Sequence, residues 1–218
     1  MQIAILVYEH MTALEAVGPY EVLSRLPGAQ AILVSGEQGP VRCDAGNLVV
    51  VAEAALGDVP SPDVVVVPGW SGSTQDAVLR PGTVQSWLRA VDERSTWTAS
   101  IGAGSIVLAS AGLLDGRRAT THWLALDRLE LLGAVATDQS VVFDGKYASA
   151  CGASGGIDLA LGLVGRIADD HTARAIQLLL AYDPHPPFDA GSVHRAPADI
   201  VTSMRAVRDF IVDGARAR

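Results

Sequence analysis

Apolar and polar positions alternate in blocks along this chain, and the period changes from block to block. The run QIAILVY (Gln2 to Tyr8) reads as a buried strand, and ALEAVGPYEVLSRL (Ala13 to Leu26) follows with apolar residues at helical spacing. Gly18-Pro19 inside that stretch predicts a kink or a restart, because proline brings no amide proton to the helix ladder. QAILVSG (Gln30 to Gly36) predicts a second strand, and VRCDAGNLVVVAEAAL two short strands around a Gly-Asn turn. PDVVVVPGW (Pro62 to Trp70) carries four consecutive valines, the pattern of a strand covered on both faces.

A helix is predicted over GTVQSWLRAVDER (Gly82 to Arg94), and the segment TWTASIGAGSIVLASAGLLDG (Thr96 to Gly116) comes next. It reads as a strand to Ile101, a small-residue turn Gly102-Ala103-Gly104, and a helix from Ser105 to Leu114. Strand, sharp turn, helix is how a fold presents a nucleophile at the top of a sheet, yet the tip here is Gly102, which has no side chain. THWLALDRLELLGA (Thr121 to Ala134) predicts another helix, and SVVFDGKYASACG a hairpin turning at Asp144-Gly145. From Ile157 the chain is helical in pattern except for the proline-rich YDPHPPFDAG. Strands alternating with helices predict an α/β fold of three layers, a mostly parallel sheet with helices on both faces. In such a fold, ligands bind at the carboxyl ends of the strands.

Composition narrows the classes. Nearly half of the 218 residues are apolar and 18% are charged, enough to bury a full core in a single domain. A net charge of −8 gives no basic footprint and argues against a nucleic-acid partner. The first residues lack the positive start of a signal peptide, and no run approaches the ~20 apolar residues of a membrane span, so no membrane association is expected. Two cysteines, Cys43 and Cys151, make no disulfide framework, and a cytoplasmic location follows as the expectation. Five histidines show no HxH or HExxH spacing, so no metal is predicted. GAGSIV lacks the third glycine of a dinucleotide fingerprint, and no cofactor is expected.

Three segments leave strands where a pocket forms: EHMTALEAVGP, PGWSGS and SIGAGS. Glycines in the last two allow backbone amides to approach an anion or a developing oxyanion, although glycine-rich turns also simply reverse a chain. Glu15 is a carboxylate in an apolar stretch: it is either a solvated helix-surface residue or a pocket group with a raised pKa. His122 is a packing residue or a pocket residue on the same local evidence, and Trp70 fills core or walls an apolar pocket. Cys151 precedes a helix whose N-terminus would lower a thiol pKa, against the alternative of an inert buried thiol.

Taken together, ILVYEHMTALEAVGPYEVL, DVVVVPGW, TASIGAGSIVLASAGLLDGRRATTHW, ACGASGGIDLAL and IQLLLAYDPHPPFDAG resemble successive signatures of the isocyanide hydratase branch of the PfpI (class I glutamine-amidotransferase-like) superfamily. The resemblance spans nearly the whole chain. It implies a flavodoxin-like domain over 1–218 that assembles as a homodimer. Transcription regulators of the superfamily append a DNA-binding domain for which residues up to Arg218 leave no room.

The resemblance also implies roles. Branch members place a cysteine at the elbow, followed by Thr-Gly, with an acidic residue hydrogen-bonded to the thiol. Carried over residue by residue, Glu15 takes the acidic position in place of the more usual aspartate. Gly69 and Trp70 take a Pro-Gly-Gly position, Gly102 the cysteine position and Ala103 the threonine position. Gly69, Trp70, Ser71, Gly102, Ala103, Gly104 and His122 become the expected substrate-binding set. Glycine cannot attack an isocyanide carbon, so the family's covalent hydration is not expected here.

Three functions follow as expectations. One is an enzyme using Glu15 for non-covalent acid–base chemistry (hydration or dehydration, isomerisation or cyclisation) on a small, largely apolar metabolite. Another is a catalytically dead homologue that binds a small molecule or regulates. The third is a thiol enzyme that works through Cys151.

Overall fold

The computed structural model describes residues 1–70, 76–79 and 82–208. Strand β1 (Gln2–Leu6) leads into helix α1 (Ala13–Leu23), followed by β2 (Gln30–Ser35), β3 (Gly39–Arg42), β4 (Val49–Ala52), β5 (Ala54–Ala55) and β6 (Val64–Val67). Helices α2 (Asp76–Leu79) and α3 (Thr83–Asp92) precede β7 (Trp97–Ile101) and α4 (Gly104–Ser110). Then come β8 (Arg118–Ala119), α5 (Leu126–Leu131), β9 (Val135–Ala136), β10 (Val141–Asp144) and β11 (Tyr147–Ala150). Helices α6 (Gly155–Ile167), α7 (Asp170–Leu179) and α8 (Ala198–Ala206) complete the described chain.

The central sheet has seven strands in the order β10-β11-β7-β6-β1-β2-β5. All neighbours pair in parallel except β10 with β11. The four valines of β6 are fully buried, as a central parallel strand requires, and each side chain removed from water contributes about 1.5–3 kcal/mol. Helices α1, α6 and α7 pack in succession, α1 on α6 and α6 on α7, while α4 packs against α2, α3 and α5. This is the flavodoxin-like three-layer arrangement. Its registers bring the carboxyl ends of β1, β6, β7 and β11 to one level, with Ile5 opposite Val66, Val67 opposite Ser100 and Ile101 opposite Ala150.

Several elements depart from the sequence pattern. Helix α1 runs unbroken through Pro19, which lies in its interior, so no restart occurs at Gly18-Pro19. The expected helix from Thr121 to Ala134 contracts to a 3-10 turn over Trp123–Ala125 and the six residues of α5, because short strands β8 and β9 pair across its ends. Helix α4 ends at Ser110, where Ala111 and Gly112 turn the chain, rather than at Leu114. The β10–β11 hairpin closes at Gly145-Lys146, with Asp144 already paired to Tyr147 and Gly145 at φ +59°. Among the described residues no helix is long and apolar enough to cross a membrane.

Candidate functional site

Glu15 sits in the first turn of α1, where the usual amphipathic rule is reversed locally. Leu14 is 49% exposed, whereas Glu15 is only 6% exposed. The loops after β1 and β6 are laced together around it. The Thr12 amide donates to Gly69 O at 3.0 Å, the Gly69 amide donates to Glu15 Oε2 at 2.6 Å, and Met11 bridges to Trp70. Below them the Tyr8 hydroxyl donates to Pro68 O at 2.8 Å. The acid is thereby fixed from its backbone and from its carboxyl end at once.

The turn after β7 keeps the backbone of a nucleophile elbow. Gly102 has φ +52°, a left-handed conformation that glycine adopts without a Cβ penalty. Its amide donates to Ala150 O at 2.9 Å, and its carbonyl accepts from Thr121 Oγ1 at 2.9 Å. Behind it, the Ser100 and Ser105 hydroxyls pair at 2.8 Å and Ser105 Oγ donates to Thr120 O at 2.6 Å. Gly104 packs so tightly under β6 that a Cβ there would lie 2.9 Å from the carbonyl carbon of Val67.

These loops enclose a cavity of about 410 Å³. Of the residues singled out in the sequence, Glu15, Trp70, Ala103, His122 and Cys151 line it, and Gly69, Gly102 and Gly104 form the backbone immediately around Glu15 and the elbow. Ser71 lies outside the described residues. Thr12, Asp44 and Trp123 also line the cavity and were not singled out from sequence. Thr12 Oγ1 donates to Asp44 Oδ2 at 2.5 Å, joining the start of α1 to the segment between β3 and β4. Thr12 was legible as the residue before a helix, whereas nothing in CDAGN places Asp44 beside Glu15.

Burial sets the protonation states. It pushes the Glu15 carboxyl up to about 8, against the opposing hydrogen bond from Gly69 and with a further rise from Asp44. The same dry surroundings hold the Tyr8 hydroxyl well above its usual range and the His122 imidazole below its own. His122 Nδ1 accepts from the Leu124 amide at 3.4 Å, which leaves the ring proton of the neutral form on Nε2. For Cys151 the inert-thiol reading fits better than a pKa lowered by the helix N-terminus. Burial raises the thiol pKa, and the protonated thiol is favoured over the thiolate. Among the described residues no cluster of histidine, cysteine and carboxylate side chains suits a metal ion.

A sequence profile of the DJ-1/PfpI family matches residues 1–166. An isonitrile hydratase from Pseudomonas putida is 37% identical over 205 residues, which cover 94% of this chain and 89% of the relative. The HTH-type transcriptional regulator CdhR of Pseudomonas aeruginosa is 35% identical over 134 residues, 61% of this chain but only 39% of the regulator. The crystal structure of a ThiJ/PfpI family protein from Pseudomonas syringae superposes with a TM-score of 0.92 at 35% identity, covering 96% of this chain and 86% of that one.

Proposed function

The chain belongs to the DJ-1/PfpI family, and from that premise we propose that it is a cysteine-less, isonitrile-hydratase-like enzyme whose Glu15 performs acid–base chemistry on a small, largely apolar metabolite. One observation carries the reading. A carboxyl group buried in a cavity wall has its pKa near 8, close to the pH at which it would work, so it can both give and take a proton. Protonated at neutral pH, Glu15 donates first and takes a proton back later. His122, neutral and carrying its proton on Nε2, offers a second donor to a substrate oxygen.

The amides of Trp70, Ala103 and Gly104 supply the fixed dipoles for an oxygen on which negative charge develops. Hydration, dehydration, isomerisation and cyclisation can each use this combination of a proton shuttle and an anion-stabilising edge. A positioned acid or base contributes about 10²- to 10⁴-fold, which suits substrates whose intrinsic barrier is modest. The reaction proceeds without a thiol adduct and uses no cofactor. The reading places one domain over 1–218, in a cytoplasmic homodimer.

Native mass spectrometry of the protein from its source cells tests the function, with the parent and a Glu15→Gln variant incubated side by side and the co-purifying ligand followed. Conversion by the parent and an intact ligand on the variant is the expected result. A ligand held unchanged by both would instead favour a binding or regulatory homologue. The similarity to a transcriptional regulator is the observation that keeps this second reading in play.

A further inference from the structure

The space in front of Gly102 is not empty. A Cβ built there in ideal geometry would lie 2.8 Å from Glu15 Cδ and Oε2, and closer still to Oε1. Real Cβ atoms essentially never approach another heavy atom within 3.0 Å. On the other side, a Cβ at Gly69 would also lie 2.8 Å from Glu15 Oε2 and would overlap the Ala103 backbone. The carboxyl is thus held in a slot between two glycines, anchored by the Gly69 amide at 2.6 Å. At a strand–turn–helix elbow, this slot is where a nucleophilic side chain stands.

We propose that Glu15 has taken over the reactive position of this elbow and that Gly102 stays free of a side chain to admit it, so that residues 15 and 102 are one coupled determinant of the chemistry. Gly102 is then a positioning residue and its bareness a requirement of the acid. The inference rests on the reading of Glu15 as the acid, and it narrows the substrate. A group meeting the elbow meets a proton donor, so the reacting atom carries a basic lone pair, as a hydroxyl, ether or carbonyl oxygen does. An electrophilic carbon awaiting a nucleophile does not fit that description.

A double-substitution cycle tests the coupling. Gly102→Ala is made in the parent and in a Glu15→Asp background, whose carboxyl is one methylene shorter, and all four proteins are melted. Strain at φ +52° falls on the substituted residue in both backgrounds, whereas contact with the carboxyl falls chiefly on the one that keeps glutamate. The expected result is a loss of melting temperature several degrees larger in the Glu15 background, or folding only with aspartate at 15. A Glu15→Asp/Gly102→Cys protein is also expected to react with iodoacetamide at a new site, residue 102, within the time that leaves the parent unlabelled. Equal losses in the two backgrounds, or failure of both to fold, would assign the glycine to backbone strain alone and overturn the proposal. The cycle reads stability and not turnover, so coupling alongside a catalytically silent Glu15 would leave the slot standing while removing the acid–base function.

Discussion

The Gly69 amide donates to Glu15 Oε2 across 2.6 Å, yet the carboxyl it touches is held near pKa 8. An N–H pointed at a carboxylate favours the charged form, and so does a position in the first turn of a helix. Removal from water favours the neutral form and outweighs both, with Asp44 adding like-charge repulsion. The hydrogen bond therefore fixes where the carboxyl stands, while burial decides its charge.

That balance makes folding stability depend on pH. The folded chain holds the Glu15 proton more tightly than the unfolded chain does. The resulting stabilisation is complete below the ordinary carboxyl pKa of 4.5 and is lost as pH rises through about 8. Relative to Glu15→Gln, which does not titrate, the parent should lose up to about 1.4 kcal/mol per pH unit within this window. Thermal melts of both proteins across the range check this, and parallel profiles would rule it out.

Asp44 is the lever on the same group. Neutralising it as Asp44→Asn keeps an acceptor for Thr12 Oγ1 but removes a nearby negative charge that raises the Glu15 pKa. The limb of the activity–pH profile that reports loss of the Glu15 proton should move to lower pH, with the fold unchanged by circular dichroism. A limb that stays in place would mean that the two carboxyls do not sense one another.

The layers of the fold were legible in the sequence because the buried strands announce themselves. Four consecutive β-branched valines, Val64 to Val67, bounded by prolines, suit a doubly covered strand, and the block alternation gives the parallel sheet. The site was legible in part. Gly102 stood out because a turn that aims a side chain ends in a residue without one. Glu15 could not be placed from periodicity, because α1 exposes Leu14 and Val17 and buries its acid, so the pattern carries no information about which face is wet. Asp44 and Trp123 were missed for a different reason. Asp44 reaches the cavity from the irregular chain between β3 and β4 and Trp123 from a short 3-10 turn, where position is set by tertiary contacts such as the Asp44 amide donating to Met11 O. The contraction of the segment around His122 followed from β8–β9 pairing, which two-residue strands do not signal.

Cys151 lines the cavity and carries the one thiol among its described lining residues, but that thiol is kept protonated by burial. Turnover by Cys151→Ala should equal that of the parent within about twofold, and the thiol should alkylate more slowly than a free cysteine at neutral pH. Ligand-conversion assays and timed alkylation with mass analysis of the Cys151 peptide check both. A large loss of turnover would return the thiol to the mechanism.

Trp70 offers a test of how the cavity wall is built. Trp70 is 6% exposed and its Nε1–H has no acceptor among the described residues, although a buried unpaired donor costs about 1–3 kcal/mol. Trp70→Phe removes that donor while keeping an aromatic ring at the cavity wall. The gain from deleting an unpaired N–H should roughly offset the packing lost with the smaller ring. The ligand-free variant is therefore expected to melt close to the parent. Trp70→Ala loses the ring as well and should cost about 3–5 kcal/mol, as other large-to-small core substitutions do. Denaturant unfolding of the two variants against the parent separates ring from donor. A Trp70→Phe loss as large as that of Trp70→Ala would mean that the indole N–H is satisfied in the folded protein and that the wall depends on that bond.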